Sequence, residues 1–227
     1  MKLVLGLFGL ENFYGGDISS YIEISQMGEE LGFDSVSVTD HVVMGKNLHK
    51  YPFGKFPLPS EAPWFEPLSL LTMIASNTSK INLATAILIA PLRNPALLAK
   101  TVATLDTISK GRLELGVGLG WQKEEFDAAG VSFEDRSEIF WETLEHLHTV
   151  HPWALEILAF PFDHPGSNSI EKCKEEVEAA EKKGGHKIHI MEPIDINGPN
   201  TNSVFISRVD PKLRLGINPI SKEFPKR

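Results

Sequence analysis

The stretch from Ile81 to Trp121, INLATAILIAPLRNPALLAKTVATLDTISKGRLELGVGLGW, constrains the fold more than any other part of the chain. Ile81 to Ala90 is almost continuously apolar, the pattern of a strand covered on both faces in a parallel sheet, not the alternation of a half-exposed one. Asn94 and Pro95 then open a helix. The Asn side chain can accept from a free first-turn N–H, and Pro at the first helical position lacks only an N–H that would go unpaired anyway. Ala96 to Ile108 carries apolar residues at helical spacing, and Lys110-Gly111 ends the helix at the negative end of its dipole. Leu113 to Val117 returns as a second strand and leaves through Gly118-Leu119-Gly120, flexible backbone at the carboxyl end of a parallel strand, where α/β proteins hold their ligands.

The same alternation runs through the rest of the first 150 residues. Leu3 to Phe8 reads as a strand, Ile18 to Leu31 as an amphipathic helix stopped at Gly32, and Ser35 to Thr39 as a second strand opening onto Asp40-His41. Pro67 begins a helix that runs to about Asn77, and further helices cover Gln122 to Ala129 and Asp135 to Val150. Strands separated by connections long enough for right-handed crossovers imply a parallel α/β fold; periodicity does not separate a closed barrel from an open sheet. Val42 to Phe65 is a long connection rich in proline and in aromatics such as Tyr51, Phe53, Phe56 and Trp64. A connection of this length is a lid, a binding loop or a disordered segment, and its aromatic content argues for order.

Beyond Leu147 the pattern changes. His151 to Asn168 is irregular, Ser169 to Lys183 reads as a charged helix with Ile170, Cys173, Val177 and Ala180 on one stripe, and Lys187 to Met191 reads as a short strand. Ser203 to Val209 and Leu213 to Ile217 are weak strand candidates. A net charge of −8 with both signs interspersed argues against the concentrated basic face that nucleic acid requires. The single cysteine, Cys173, excludes an internal disulfide and reads as a buried thiol. Leu3 to Leu10 is too short, and too poor in small residues at its end, for a signal peptide; no stretch can span a membrane, so a cytoplasmic protein is expected. His146, His148 and His151 lack the carboxylate and spacing of a zinc motif, so no metal site is expected.

Four segments in order, EELGFDSVSVTDHV (29–42), FPLPSEAPWFEPL (56–68), LATAILIAPLRNPALLAKTVATLD (83–106) and GRLELGVGLGWQKEEF (111–126), resemble the luciferase-like monooxygenase family, in particular its branch of F420- or FMN-dependent oxidoreductases. The resemblance covers residues 1–147 and implies a TIM-type (β/α) barrel with FMN or the deazaflavin coenzyme F420 at the carboxyl face of its strands. Such a cofactor transfers a hydride to or from a small organic substrate, or activates oxygen, while the protein orients it and excludes water. The resemblance maps Asp40 and His41 onto the catalytic pair facing the ring or substrate, and Thr85, Ala86 and Ile87 onto the third-strand segment against which the ring packs. That segment often carries a non-prolyl cis peptide in the family. Gly118 and Gly120 match the turn approaching the ribityl-phosphate. Trp64 and Trp121 are candidate substrate contacts, although Trp121 stands where the sugar-phosphate dehydrogenases of the family have an acidic residue.

The tail from 148 to 227 lacks the family's further glycine-containing phosphate loop, and is too short for four more strand-helix units. The expected architecture is therefore a luciferase-like barrel half over 1–147, followed by a divergent tail with one helix-strand unit, leaving the barrel truncated or completing it. An incomplete site makes the rival reading a non-catalytic flavin-binding or degenerate barrel protein. An unpaired parallel edge is a liability that dimerisation with a second copy would remove.

Overall fold

A computed structural model of the chain describes residues 3–10, 14–52, 54–150, 156–160 and 188–190. The apolar runs become β1 (Val4–Gly6), β2 (Ser35–Val38), β3 (Asn82–Thr85), β4 (Leu88–Ile89), β5 (Leu113–Gly118), β6 (Glu156–Phe160) and β7 (Ile188–Ile190), joined in one sheet whose pairings are all parallel. Neighbours follow chain order, β1-β2-β3-β5-β6-β7, with β4 also paired to β5. A doubly wound sheet reverses its order at a switch point, whereas this one winds in a single direction, as a TIM-type barrel does.

Helices α1 (Ser19–Glu30), α2 (Pro67–Asn77), α3 (Pro95–Ser109), α4 (Lys123–Ala129) and α5 (Arg136–Val150) supply the connections. Their ends follow local chemistry. Asn94 Oδ1 accepts from the Ala96 and Leu97 amides at the start of α3, and Glu66 accepts from Ser69 N at 2.7 Å at the start of α2. Lys110 stops α3 in the left-handed region at φ 61°, and the Gly111 amide returns to Asp106 O at 3.0 Å. Arg112 then donates to Ser109 O, Ala75 O, Thr78 O and Ile81 O, satisfying carbonyls at the ends of α3 and α2 and at the entry to β3. No helix among the described residues is long and apolar enough to cross a membrane.

The two-residue period of the strands divides the core. Val36, Val38, Leu83, Leu113, Leu115 and Val117 pack in one cluster with Leu71 and Ile74 of α2, Leu98, Val102 and Leu105 of α3, and Leu144 and Leu147 of α5. The alternating positions are small or polar: Ser35 Oγ donates to Glu114 Oε2 at 2.8 Å and Asn82 Nδ2 to Glu114 Oε1 at 2.9 Å, so three strands share a polar layer.

Two expectations are corrected. The apolar run 81–90 is not one strand: it breaks between β3 and β4 at the cis Ala86–Ile87 peptide, and Ala90–Leu92 closes as a 3-10 turn. The stretch 151–168 is not irregular throughout, because Glu156–Phe160 forms β6 in register with β5, Glu114 opposite Glu156 and Gly118 opposite Phe160. Five residues are too few to show a period; the free edge of β5 decides their conformation. The strand expected at 187–191 is found as β7. The helix expected at 169–183, Cys173 and the two later strand candidates lie outside the described residues.

Candidate active site

The chain leaves β2 at its carboxyl end through Asp40 and His41, and each side chain is tied to a different element. Asp40, 4% exposed, accepts from Ile89 N of β4 at 2.8 Å and receives both arms of Arg93, Nη1 at 2.5 Å and Nη2 at 3.0 Å. This forked, charge-assisted pair leaves Asp40 little capacity to accept anything else. Burial by itself would lower the Arg93 guanidinium, but Asp40, with Glu66 at 3.3 Å, outweighs it and holds Arg93 above its ordinary value.

His41 turns the other way. Its Nδ1 lies 3.0 Å from Oε2 of Glu125, a fully buried residue in the first turn of α4, and Glu125 Oε1 accepts from the Val42 amide at 2.9 Å. The next residues of the connection are fastened to the same helix start. Gln122 Oε1 accepts from the Gly45 amide at 2.8 Å, and Asn47 Nδ2 donates to Glu124, whose carboxyl is held below its usual range chiefly by that bond. Gly45 must be glycine for this docking, since a Cβ there would come within 2.8 Å of the Glu124 side chain.

Aromatic rings surround His41. Trp64 lies at 4.6 Å, Phe56 at 5.6 Å and Trp121 at 6.2 Å between centroids, all edge-on, and Tyr51 packs on Phe56 and Trp121 at 5.1 and 5.3 Å. The long connection is thus folded against the strand ends as an aromatic cover, Trp64 from the connection and Trp121 from the β5 exit both packing edge-on to the histidine. Trp64 Nε1 is a buried donor without a hydrogen-bond partner among the described residues.

The other expected residues gather at the same end of the sheet. Thr85 is buried with its hydroxyl on Gly116 O at 2.7 Å; the Ala86 amide donates to Val38 O at 2.7 Å; Ala86 and Ile87 are partly exposed at the break. Gly118 is buried in the sheet opposite Ile89, only one residue pairing away from Asp40. Gly120 has φ 79°, and a Cβ on it would stand 2.7 Å from Ile89 Cγ2 and 3.0 Å from Phe126 Cε2, so its missing side chain is accounted for by packing. Sequence reasoning missed Arg93, Gln122 and Glu125. Glu124 and Glu125 in the first turn of α4 read simply as acids favoured by the helix dipole, a signal that conceals the His41 contact.

The family model for luciferase-like monooxygenases matches residues 4–153. The chain belongs to this family. Among its relatives, the 5,10-methylenetetrahydromethanopterin reductase of Methanolobus tindarius is 32% identical over 127 residues, which make up 56% of this chain and 32% of that protein. An F420-dependent glucose-6-phosphate dehydrogenase of Kineococcus radiotolerans is 31% identical over 152 residues, 66% of this chain and 40% of that one. The chain therefore covers well under half the length of these curated relatives. In three dimensions it matches the oxygenating constituent of 3,6-diketocamphane monooxygenase from Pseudomonas putida, solved with FMN, at a TM-score of 0.57 and 18% identity, over 86% of this chain and 59% of the other, a likeness of fold.

Proposed function

We propose that the chain is a flavin- or deazaflavin-dependent oxidoreductase that acts on a small organic substrate beside His41. The observation that carries this reading is the His41–Glu125 contact, a buried carboxylate behind a ring enclosed by aromatic residues at the carboxyl ends of parallel strands. F420 or FMN is the cofactor named for the relatives above. Bound, such a ring supplies hydride or oxygen chemistry.

The residues fit the ring. Ala86 and Ile87 offer a flat, partly exposed rest beside the Asp40–His41 turn. They fit the phosphate less well at the β5 exit: Gly120 is filled by its neighbours, and two glutamates in the first turn of the seven-residue α4 would repel an anion there. His41, with Nδ1 held by Glu125, keeps Nε2 to exchange a proton with a substrate oxygen. Asp40 serves as a positioning residue that fixes β4 and Arg93. Trp64 and Trp121 exclude water and bound the substrate.

A second reading, a non-catalytic flavin-binding or degenerate barrel that acts as a homodimer, is favoured by the filled glycine turn alone. Titration of FMN and of F420 into the apo protein, alongside a sizing measurement, separates the two. Submicromolar binding by a monomer with substrate-dependent bleaching supports the enzyme; weak binding confined to a dimer supports the second reading.

A further inference from the structure

The cover over His41 has an outer side with its own chemistry. Residues 41–60 contain His41, Lys46, His49, Lys50 and Lys55 and no Asp or Glu, in a chain whose net charge is −8. Two of the lysines are answered: Lys46 stands within electrostatic reach of Glu61, and Lys50 of Glu124. Among the described residues, neither His49 nor Lys55 has a carboxylate partner. These two line a groove of about 460 Å³ whose remaining surface is Leu48, Phe56, Leu58 and the prolines on either side of Leu58. That volume lies in the range of small-molecule sites.

Phe56 connects the groove to the site. It is 8% exposed, and its ring packs 5.6 Å from His41 and 5.9 Å from Trp121, so one aromatic side chain both lines the groove and packs against the histidine. We propose that the groove binds the apolar body of an anionic amphiphile, with the carboxylate or other anionic head at Lys55 and His49. A neutral apolar molecule would cover the floor without answering the lysine, and a small anion would answer the lysine but leave the floor wet; a molecule with both parts matches both observations. Pro52, Pro57, Pro59 and Pro63 fix backbone angles along the cover, which lowers the ordering that binding requires. This binding does not rest on the oxidoreductase reading.

The test uses tryptophan fluorescence of the full chain without cofactor, since Trp64 and Trp121 both pack on Phe56. Decanoate, decanol and acetate are titrated below micellar concentrations. Decanoate is expected to saturate, decanol to bind roughly tenfold more weakly for want of the charged contact, and acetate to give no change. Lys55→Ala, at an exposed position, should bring decanoate to the affinity of decanol without altering decanol, and Leu58→Asp should abolish both. Equal affinities of decanoate and decanol, decanoate binding indifferent to Lys55→Ala, or binding that survives Leu58→Asp would each overturn the proposal. FMN and F420 titrated into the same samples keep the two readings apart. Cofactor binding without decanoate binding defeats the groove alone, and decanoate binding without cofactor binding defeats the oxidoreductase reading alone.

Discussion

Glu125 Oε2 lies 3.0 Å from His41 Nδ1, a contact across 84 positions of sequence, while the other oxygen of the same carboxylate takes the Val42 amide. A single buried acid therefore sets both the ring and the backbone at the carboxyl end of β2. With Glu125 as the acceptor of this contact, the expected tautomer is Nδ1–H, with Nε2 left for a ligand. Long-range proton–nitrogen correlation spectra are expected to show His41 as the Nδ1–H tautomer. Glu125→Gln retains an acceptor and should keep that tautomer, and Glu125→Leu should shift it toward Nε2–H. A wild-type His41 protonated on Nε2 alone refutes the arrangement.

Asp40 and Arg93 form a pair in which the carboxylate is nearly inaccessible and the guanidinium only 16% exposed. Removing Arg93 strands the Asp40 carboxylate away from water, and removing Asp40 leaves the mostly buried Arg93 with only the more distant, half-exposed Glu66 as counter-charge. Asp40→Asn should destabilise the protein by about 3 kcal/mol, read as a lower midpoint in urea unfolding. Combined with Arg93→Met it should cost less than the sum of the two single changes. Additivity would show that the pair does not act as a unit.

Gly120 and Gly130 both have positive φ, 79° and 70°, but only Gly120 is crowded; nothing lies within 4 Å of a Cβ on Gly130. Gly130→Ala should therefore cost about 1 kcal/mol, the left-handed strain alone. Gly120→Ala adds a clash with Ile89 and Phe126 and should cost about 3 kcal/mol. Thermal unfolding of the two variants side by side checks the order, and equal losses would mean that the β5 exit has room to relax.

Glu29, at the end of α1, accepts from the amides of Ser79, Lys80 and Ile81 in the turn before β3. Burial acts to raise its carboxyl, but these donors, with the Ser79 hydroxyl, outweigh it and bring it down from 4.5 to about 2. The folded state thus binds this proton less readily than the unfolded one. Its contribution is complete above pH 4.5 and is lost as the pH falls through 2. For a group near the surface we expect about 1 kcal/mol, allowing for screening. Unfolding free energies measured from pH 6 to pH 2 should fall less steeply in Glu29→Gln; parallel curves would show that the turn does not depend on the charge.

The sequence by itself determined the helices and most of the strands of the first 150 residues, and their order. Asn94-Pro95 and Lys110-Gly111 bound α3 where their side-chain and backbone chemistry required, because caps act within a few residues. The apolar runs gave a parallel α/β fold, and the four family segments brought Asp40, His41 and the residues around Ala86 to one end of the sheet. Only the tertiary structure decided what each of these touches. Asp40 and His41 are adjacent in the chain, yet one is closed by Arg93 and the other is opened toward the aromatic cover by Glu125, since successive residues leaving a strand face different neighbours. Glu125 carries no local sign of its contact, the resemblance does not show what Gly120 packs against, and Glu156–Phe160 reads as irregular. In each case the deciding partner, His41, Ile89 or the edge of β5, lies more than thirty positions away along the chain. Hydrogen bonds, packing and strand pairing of that range are set by the winding of the sheet, and no local pattern encodes them.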